Sequence, residues 1–320
     1  MQKMKKKTSI SILLTFCITL AVVACVFIYK QVNNLLLEKK IDTPQAPIQT
    51  EAAGGTISMP SEEPTTEEKT EAPTETTTKA PAKEPTTKKQ TPSNNTGGGS
   101  LEAKIKKLNG KGKKIYLTFD DGPSKLTPQI LDILDKYNVK ATFFVIGNGT
   151  NHSYLSKIAE KGHAIGLHTY SHNYKYIYAS EENFFDDLEK ISKLVEQETG
   201  VVSKIIRFPG GSSNLSSKFN PGVMSRLAEK VKAKGYEYYD WNCTNGDGTG
   251  NNLSVSTLIN TAVDTALKAN GDLIMLMHDS AAKKTTVEAL PRIIEIFRDA
   301  GYTFAPISPE TVPVHHTIKN

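Results

Sequence analysis

Two pairs of residues in this sequence have the types and the spacing that metal-dependent chemistry requires. Asp120 and Asp121 directly precede a Gly-Pro pair, and a turn at that point would let both carboxylates face one cavity. His168 and His172 lie four residues apart, a spacing at which two imidazoles within one helical turn can share a metal ion. Two histidines and one carboxylate hold a catalytic metal and leave a position open for water. The alternatives are a solvated Asp-Gly turn and two unrelated surface histidines.

Other polar candidates stand at the ends of apolar segments. Arg207 comes shortly before two glycines, whose small size would let backbone N–H groups approach a substrate oxygen. Asp240 and Trp241 end a second apolar segment, and His278 follows a run of five apolar residues. A strand-end arginine is often only a salt-bridge partner. Because every candidate follows a predicted strand, their convergence favours an active site over scattered surface groups.

Alternating strands and helices are needed to bring these residues together. The predicted strands are 114–119, 141–146, 164–167, 204–208, 236–241, 273–277 and 302–307. The predicted helices are 127–137, 154–161, 181–199, 221–234, 256–269 and 286–300. Strands that are apolar on both faces and separated by helices indicate a parallel sheet covered by helices. About seven such strands suit an α/β fold of the distorted (β/α) barrel type, with a doubly wound open sheet as the alternative.

Three other features of the region with predicted strands and helices are interpreted less specifically. The glycine-rich segment 246–252 is interpreted as a flexible loop near the active site, because it lacks the last acidic ligand of a calcium-binding loop. His315 and His316 lie in a terminal tail and have no setting like that of the other histidines. Cys243 is interpreted as a buried apolar filler.

The residues before this region predict a membrane anchor followed by a linker. Four lysines precede an uncharged run from Thr8 to Tyr29, and about 20 apolar residues span a bilayer. The basic cluster predicts a single-pass anchor with its N-terminus inside the cell and the rest outside. The alternatives are a cleaved signal peptide and a lipoprotein signal at Cys25. Residues 31–103 are rich in Thr, Pro, Glu and Lys, which predicts disorder.

Composition excludes several classes of protein. The formal net charge is only +5, too mild a balance to indicate nucleic acid as a partner. Two of the three cysteines lie in the apolar run, so a disulfide framework and a cysteine-based zinc ribbon are both excluded. The predicted domains are therefore an anchor (1–30), a linker (31–103) and one catalytic domain (104–320), which we expect to be monomeric.

The segment 113–307 resembles the polysaccharide deacetylase family, the NodB-homology domain of carbohydrate esterase family 4. All five motifs of that family are present in order: Thr118–Pro123, His168–His172, Arg207–Pro209, Asp240-Trp241 and Leu276–His278. The resemblance implies Asp120 as general base and Asp121, His168 and His172 as metal ligands. It implies that Arg207 orients Asp120, and that Asp240 tunes His278 as general acid. It also implies a substrate and oxyanion pocket formed by Pro209, Gly210, Trp241 and Leu276.

The same resemblance implies the chemistry, and the sequence departs from the family's motifs at one position. Family members hydrolyse N-acetyl groups of a glycan with a divalent metal, zinc in the first place and cobalt or another divalent ion as alternatives. An anchored enzyme would act on N-acetylglucosamine of peptidoglycan. N-acetylmuramic acid, another surface polysaccharide, acetylated xylan and a purely glycan-binding role are the alternatives. The departure is Gly210, where family members often carry tyrosine, so that a ring is lost from the substrate groove while the backbone N–H remains.

Overall fold

Eight parallel strands form one sheet in residues 100–320, the part of the chain that the computed structural model describes. The strands are β1 Lys114–Gly122, β2 Thr142–Val145, β3 Ala164–Leu167, β4 Ile205–Ile206, β5 Glu237–Tyr238, β6 Cys243–Thr244, β7 Leu273–His278 and β8 Thr303–Phe304. They pair in the order β5-β4-β3-β2-β1-β7-β6, and β8 pairs with the start of β1. The prediction of a parallel α/β sheet is confirmed.

Eight helices connect these strands in the described residues. They are α1 Leu101–Ile105, α2 Thr127–Lys136, α3 Ser153–Glu160, α4 Tyr174–Ile177, α5 Glu181–Thr199, α6 Val223–Ala233, α7 Val255–Ala266 and α8 Lys284–Asp299, with 3-10 turns at Leu215–Lys218 and Asp247–Thr249. Helix α5 has the predicted bounds, because Ser180 caps its first turn and Gly200 ends it in the left-handed conformation. None of these helices is long and apolar enough to cross a bilayer. The predicted anchor and nearly all of the predicted linker lie outside the described residues.

Strand β1 occupies the centre of the sheet and organises the site. It pairs with β7 on one side and with β8 and then β2 on the other, and its interior residues are buried. Phe119, for example, lies between Phe143 of β2 and Met277 of β7. The pairing with β2 shifts register between Asp120 and Gly122, which marks a β-bulge at the carboxyl end of the strand.

The two edge strands of the sheet, β5 and β6, do not pair with each other in residues 100–320. The sheet therefore fits the predicted distorted barrel, with an opening between these two strands. Strand β6 was not predicted, because it contains only two residues and is flanked by asparagines. No strand pairing joins β5 to β6 in residues 100–320. The C-terminal tail contacts this gap instead, where the backbone N–H of Asp240 donates to the carbonyl of Val314 at 2.8 Å.

Candidate active site

Asp120 and Asp121 face the same histidine although they are consecutive residues of β1. One carboxylate oxygen of each lies 3.7 Å from Nε2 of His168. Asp121 has a φ of 70°, in the left-handed region, and sits in the bulge of β1. In a regular strand the two side chains would point to opposite faces. The predicted convergence is therefore present, and the bulge within the strand produces it before the Gly-Pro turn begins.

His168 and His172 converge through a tight turn, which corrects the prediction of a helical turn. His168 directly follows β3, and both Thr169 and His172 have positive φ, at 67° and 50°. The carboxylate of Asp187 in α5 accepts hydrogen bonds from the backbone N–H groups of Tyr170 and Ser171, at 2.6 and 2.9 Å. These two bonds replace the pairing that a helix would supply. The imidazole centroids lie 5.1 Å apart.

Asp121, His168 and His172 form a site that fits a divalent cation. Their potential ligand atoms all lie within 4.8 Å of one another. Oδ1 of Asp121 is buried without a hydrogen bond from any described residue, and lies 3.4 Å from Nε2 of His172. Nδ1 of His168 contacts the carbonyl of Arg207 at 2.7 Å, which leaves Nε2 directed at the carboxylates. Burial lowers the pKa of His168 to about 3, so the ring is neutral, as a metal ligand must be.

Arg207 holds Asp120 in a fully enclosed position. The guanidinium is buried, and its Nη1 donates to Oδ1 of Asp120 at 2.7 Å and to Thr118 Oγ1 at 2.8 Å. Nε donates to the carbonyl of Tyr239 at 2.8 Å, which fixes the plane of the group. Burial raises the pKa of Asp120, and the charge of Arg207 acts against that rise.

His278 is paired with Asp247, a residue of the segment that was predicted to be a flexible loop near the active site. Nδ1 of His278 lies 2.7 Å from Oδ1 of Asp247, and the backbone N–H of His278 donates to the other oxygen at 2.9 Å. Burial alone would lower the pKa of His278, but the hydrogen bond and charge of Asp247 raise it above its ordinary value. The loop is held in place, because Nζ of Lys283 donates to the carbonyls of Asp247 and Gly250.

Asp240 bonds to Ser212 and His316, whereas His278 bonds to Asp247, so the pairing of Asp240 with His278 predicted from the resemblance is wrong. Its buried carboxylate accepts hydrogen bonds from the backbone N–H and the hydroxyl of Ser212, and from the backbone N–H of His316. The ring of His316 also contacts the carbonyl of Trp241 at 2.7 Å. The tail histidine thus has a defined place beside the site. Asp240 follows β5, whereas Asp247 follows β6, the short strand whose absence from the prediction hid the true partner of His278.

One cavity of about 410 Å³ joins the two groups of residues. Its lining comprises Asp120, Asp121, His168, His172, Tyr174, Gly210, Trp241, Thr244, Gly246, Gly248, Thr249, Leu276 and His278. Gly210, Trp241 and Leu276 therefore lie where a substrate pocket was predicted. Pro209 is not part of the lining, and its carbonyl accepts a hydrogen bond from Tyr178 at 2.8 Å. The glycine-rich segment 246–252 was predicted to lie near the active site, and Gly246, Gly248 and Thr249 do line the cavity.

Comparisons with known proteins agree with this geometry. A family model described as polysaccharide deacetylase matches residues 107–223. A peptidoglycan-N-acetylglucosamine deacetylase of Bacillus cereus is 32% identical over 199 residues, which are 61% of this chain and 87% of that protein. The chain belongs to the polysaccharide deacetylase family.

Solved structures of polysaccharide deacetylases share the fold of the described domain. The catalytic domain of a peptidoglycan N-acetylglucosamine deacetylase from Eubacterium rectale is 41% identical, with a TM-score of 0.62 over 65% of this chain and 94% of that one. The Xyl-CE4 domain of a multidomain xylanase from the hindgut metagenome of Trinervitermes trinervoides is 32% identical, with a TM-score of 0.52 over 65% of this chain and 96% of that one. The resemblance stated from the five motifs is confirmed, and the fourth motif is the one that the structure reassigns.

Proposed function

We propose that this polysaccharide deacetylase removes N-acetyl groups from N-acetylglucosamine of peptidoglycan and releases acetate. The observation that supports this most directly is the arrangement of one cavity. The carboxylates of Asp120 and Asp121 and two imidazoles line this cavity. His278 lines it as well, and its ring contacts Asp247, which lies outside the lining. The names of the relatives from Bacillus cereus and Eubacterium rectale support N-acetylglucosamine as the substrate sugar.

Asp121, His168 and His172 are the residues that would hold a divalent cation, which we propose to be zinc. Such a cation, when bound, polarises the acetamido carbonyl and lowers the pKa of a water molecule. Asp121 and the two imidazoles supply one carboxylate and two ring nitrogens, a set that leaves coordination positions free. The buried Oδ1 of Asp121 has no hydrogen bond from residues 100–320, and this unpaired carboxylate oxygen is the ligand atom that most clearly indicates a cation site.

Asp120 is placed to accept the proton of the attacking water. Its carboxylate lies 3.7 Å from Nε2 of His168, so water beside the ligand set is within its reach. Arg207 and the surrounding burial fix its orientation, and a fixed acceptor loses no free energy to reorganisation during the reaction. The buried position also excludes bulk water from the base.

Gly210 and His278 would complete the hydrolysis. Gly210 lines the cavity, and its N–H makes no hydrogen bond within the described domain, so it is free to donate to the developing oxyanion. His278, whose pKa Asp247 raises, would give its proton to the leaving amine. Trp241 and Leu276 offer apolar surface for the acetyl methyl group.

The proposed place of action is the outer side of the cell membrane. The lysines before the uncharged run Thr8–Tyr29 support an N-terminus inside and a catalytic domain outside. The linker between them is rich in Pro, Thr, Glu and Lys and would let the domain reach wall glycan while staying tethered. This placement favours peptidoglycan, the acetamido polymer beside the membrane.

A second candidate function is hydrolysis of O-acetyl groups on xylan. The 32% identity to the Xyl-CE4 domain is the observation that favours it. Acetate release from acetylated xylan, measured beside release from N-acetylated peptidoglycan, separates the two substrates.

The cellular test compares walls from cells with and without the gene. We expect deletion to lower free glucosamine in wall hydrolysates and to increase sensitivity to lysozyme. The wild-type gene should restore both properties, and a gene carrying Asp120→Asn should restore neither. Unchanged glucosamine in the deletion strain, with the protein shown to be present in the parent, would remove peptidoglycan as the substrate and leave the deacetylase chemistry intact.

A further inference from the structure

Tyr174 presents an aromatic ring to the active-site cavity from the first turn of α4. The residue lines the cavity and keeps 37% of its surface exposed. Its ring packs edge-on against His172, with centroids 5.5 Å apart, and against Tyr178 at 5.7 Å. Tyr178 is itself buried, and its hydroxyl bonds to the carbonyl of Pro209. The ring of Tyr174 is therefore held by its neighbours while one edge stays open to the cavity.

The hydroxyl of Tyr174 reaches the backbone of Gly210. A Cβ atom added to Gly210 would lie 2.7 Å from this oxygen, closer than two unbonded atoms of these types approach. Gly210 also has a φ of 76°, a conformation that favours glycine. The phenol thus occupies the space that a side chain at position 210 would need, beside the N–H proposed to face the oxyanion.

Tyr174 carries the lining hydroxyl that is left free for a ligand. Among the described lining residues, two other side chains have hydroxyls, Thr244 and Thr249. Thr244 Oγ1 donates to the carbonyl of Leu276, and Thr249 Oγ1 donates to the carbonyl of Gly246. The Tyr174 hydroxyl has no hydrogen bond to any residue in 100–320. A polar atom of this kind at a partly enclosed cavity is suited to a ligand with its own hydroxyl groups.

We propose that Tyr174 is a substrate-positioning residue, whose hydroxyl hydrogen-bonds a pyranose hydroxyl of the sugar that carries the acetamido group. Its ring would form the wall beside Gly210 and set how that sugar lies relative to the oxyanion donor. This inference rests on the proposed deacetylase function. It assigns to Tyr174 a contact with the sugar ring, distinct from the groups that act on the acetyl carbon.

The test compares Tyr174→Phe with Tyr176→Phe in the full-length protein. Both substitutions remove only a hydroxyl, and Tyr176 is on the same helix outside the cavity lining. With a tetramer of N-acetylglucosamine, we expect Tyr174→Phe to raise KM and lower kcat/KM about tenfold, with kcat within about twofold. Tyr176→Phe should match the wild type, and bound metal should be equal in all three proteins. Kinetics of Tyr174→Phe equal to those of the wild type would overturn the proposal.

Measurements of substrate binding distinguish a failure of the Tyr174 proposal from a failure of the proposed deacetylase function. In an Asp120→Asn background, calorimetry measures the affinity for the tetramer without turnover. Adding Tyr174→Phe should weaken that affinity by about the same factor as KM rises. A wild type that binds the tetramer but releases no acetate would overturn the deacetylase function, and the affinity comparison would still decide the role of Tyr174. If Tyr174→Phe lowers kcat and metal content together and leaves the affinity for the tetramer unchanged, Tyr174 supports His172 and does not contact the sugar, and the proposal is rejected.

Discussion

Aspartates that lie close together in the sequence have different partners in this site, and these partners determine which role each carboxylate can have. Asp120 is bound by Arg207, whereas Asp121 lies between two imidazoles with one oxygen left unbonded by the described residues. A similar division separates Asp240 from Asp247, since the first anchors Ser212 and only the second contacts His278. Residue type and spacing indicated that a carboxylate and two histidines form a cluster, and the family resemblance gave Asp121 as that carboxylate. Residue type and spacing could not show whether Asp240 or Asp247 contacts His278. That depends on the position of the loop after β6, a strand of only two residues.

Asp247→Asn should move the basic limb of the pH–rate profile to lower pH. The negative charge of Asp247 raises the pKa of His278, so the ring stays protonated to higher pH than an ordinary histidine. A general acid loses activity as pH rises through its pKa, and removing the charge lowers that pKa. We also expect kcat to fall roughly 100-fold. The profile of kcat against pH measures both effects, and Asp240→Asn serves as the control. A basic limb that moves with Asp240→Asn and not with Asp247→Asn would contradict the assignment.

At the scale of elements, the loops after β1 and β3 depend on contacts that no local pattern reveals. The bulge in β1 turns Asp121 towards the histidines, and Asp187 of α5 supports the turn that carries His172. The helices themselves were predictable from their apolar faces and caps, as the bounds of α5 illustrate. The conformation of residues 169–172 was not predictable, because a buried carboxylate far along the chain replaces helical hydrogen bonds there.

Asp187→Ala should destabilise the turn and weaken the metal site. The substitution leaves two partly buried backbone N–H groups without their acceptor, at a cost of about 1–3 kcal/mol in the free energy of unfolding. Asp186→Ala, on the exposed face of the same helix, should change that free energy by less than about 0.5 kcal/mol. Urea denaturation and metal titration of both variants check the expectation. Equal metal affinity in wild type and Asp187→Ala would show that the turn does not need this support.

His163, which directly precedes β3, should make the fold sensitive to acid. Burial lowers its pKa from 6.5 to about 4 in the folded protein. Between these pH values the unfolded chain binds the proton more readily, so stability falls as pH decreases from 6.5 to about 4. The loss from this group reaches about 3 kcal/mol at most. His163→Asn retains an acceptor for the N–H of Ala141, because Oδ1 of Asn takes the position of Nδ1, which accepts this bond at 3.1 Å. Thermal melts at pH 7.5 and 4.5 should differ less for this variant, and an equal difference would refute the assignment.

At the scale of the whole described domain, the C-terminal tail is part of the site's support. It contacts the opening between β5 and β6, where His316 bonds to Asp240 and Trp241, and Ile318 packs against the core. The sequence indicated a distorted barrel of about seven strands, and the sheet fits such a barrel with an opening between β5 and β6. The additional strand is β6, which has only two residues. A tail without strand or helix pattern gives no signal of such a role.

Removal of residues 315–320 should lower both stability and turnover while leaving the metal trio intact. The deletion takes away one hydrogen bond to buried Asp240 and the apolar contact of Ile318, together about 2–4 kcal/mol. Trp241 and the Ser212 loop would then lose their common anchor. Deletion of Asn320 alone, which removes a surface contact with Ser225, is the control. Wild-type kcat after deletion of 315–320 would show that the tail has no part in positioning the site.

The most direct test of the central claim is acetate release and metal content measured together on the wild type, Asp120→Asn and Asp121→Asn. Asp120 is bound by Arg207 and is proposed to move a proton, whereas Asp121 is proposed to hold the cation. We therefore expect the wild type to release acetate from N-acetylglucosamine oligomers. Asp120→Asn should bind metal as the wild type does and lose at least about 100-fold in kcat, while Asp121→Asn should lose the metal and the activity. An Asp120→Asn protein that retains full activity, or one that has lost its metal, would contradict the account.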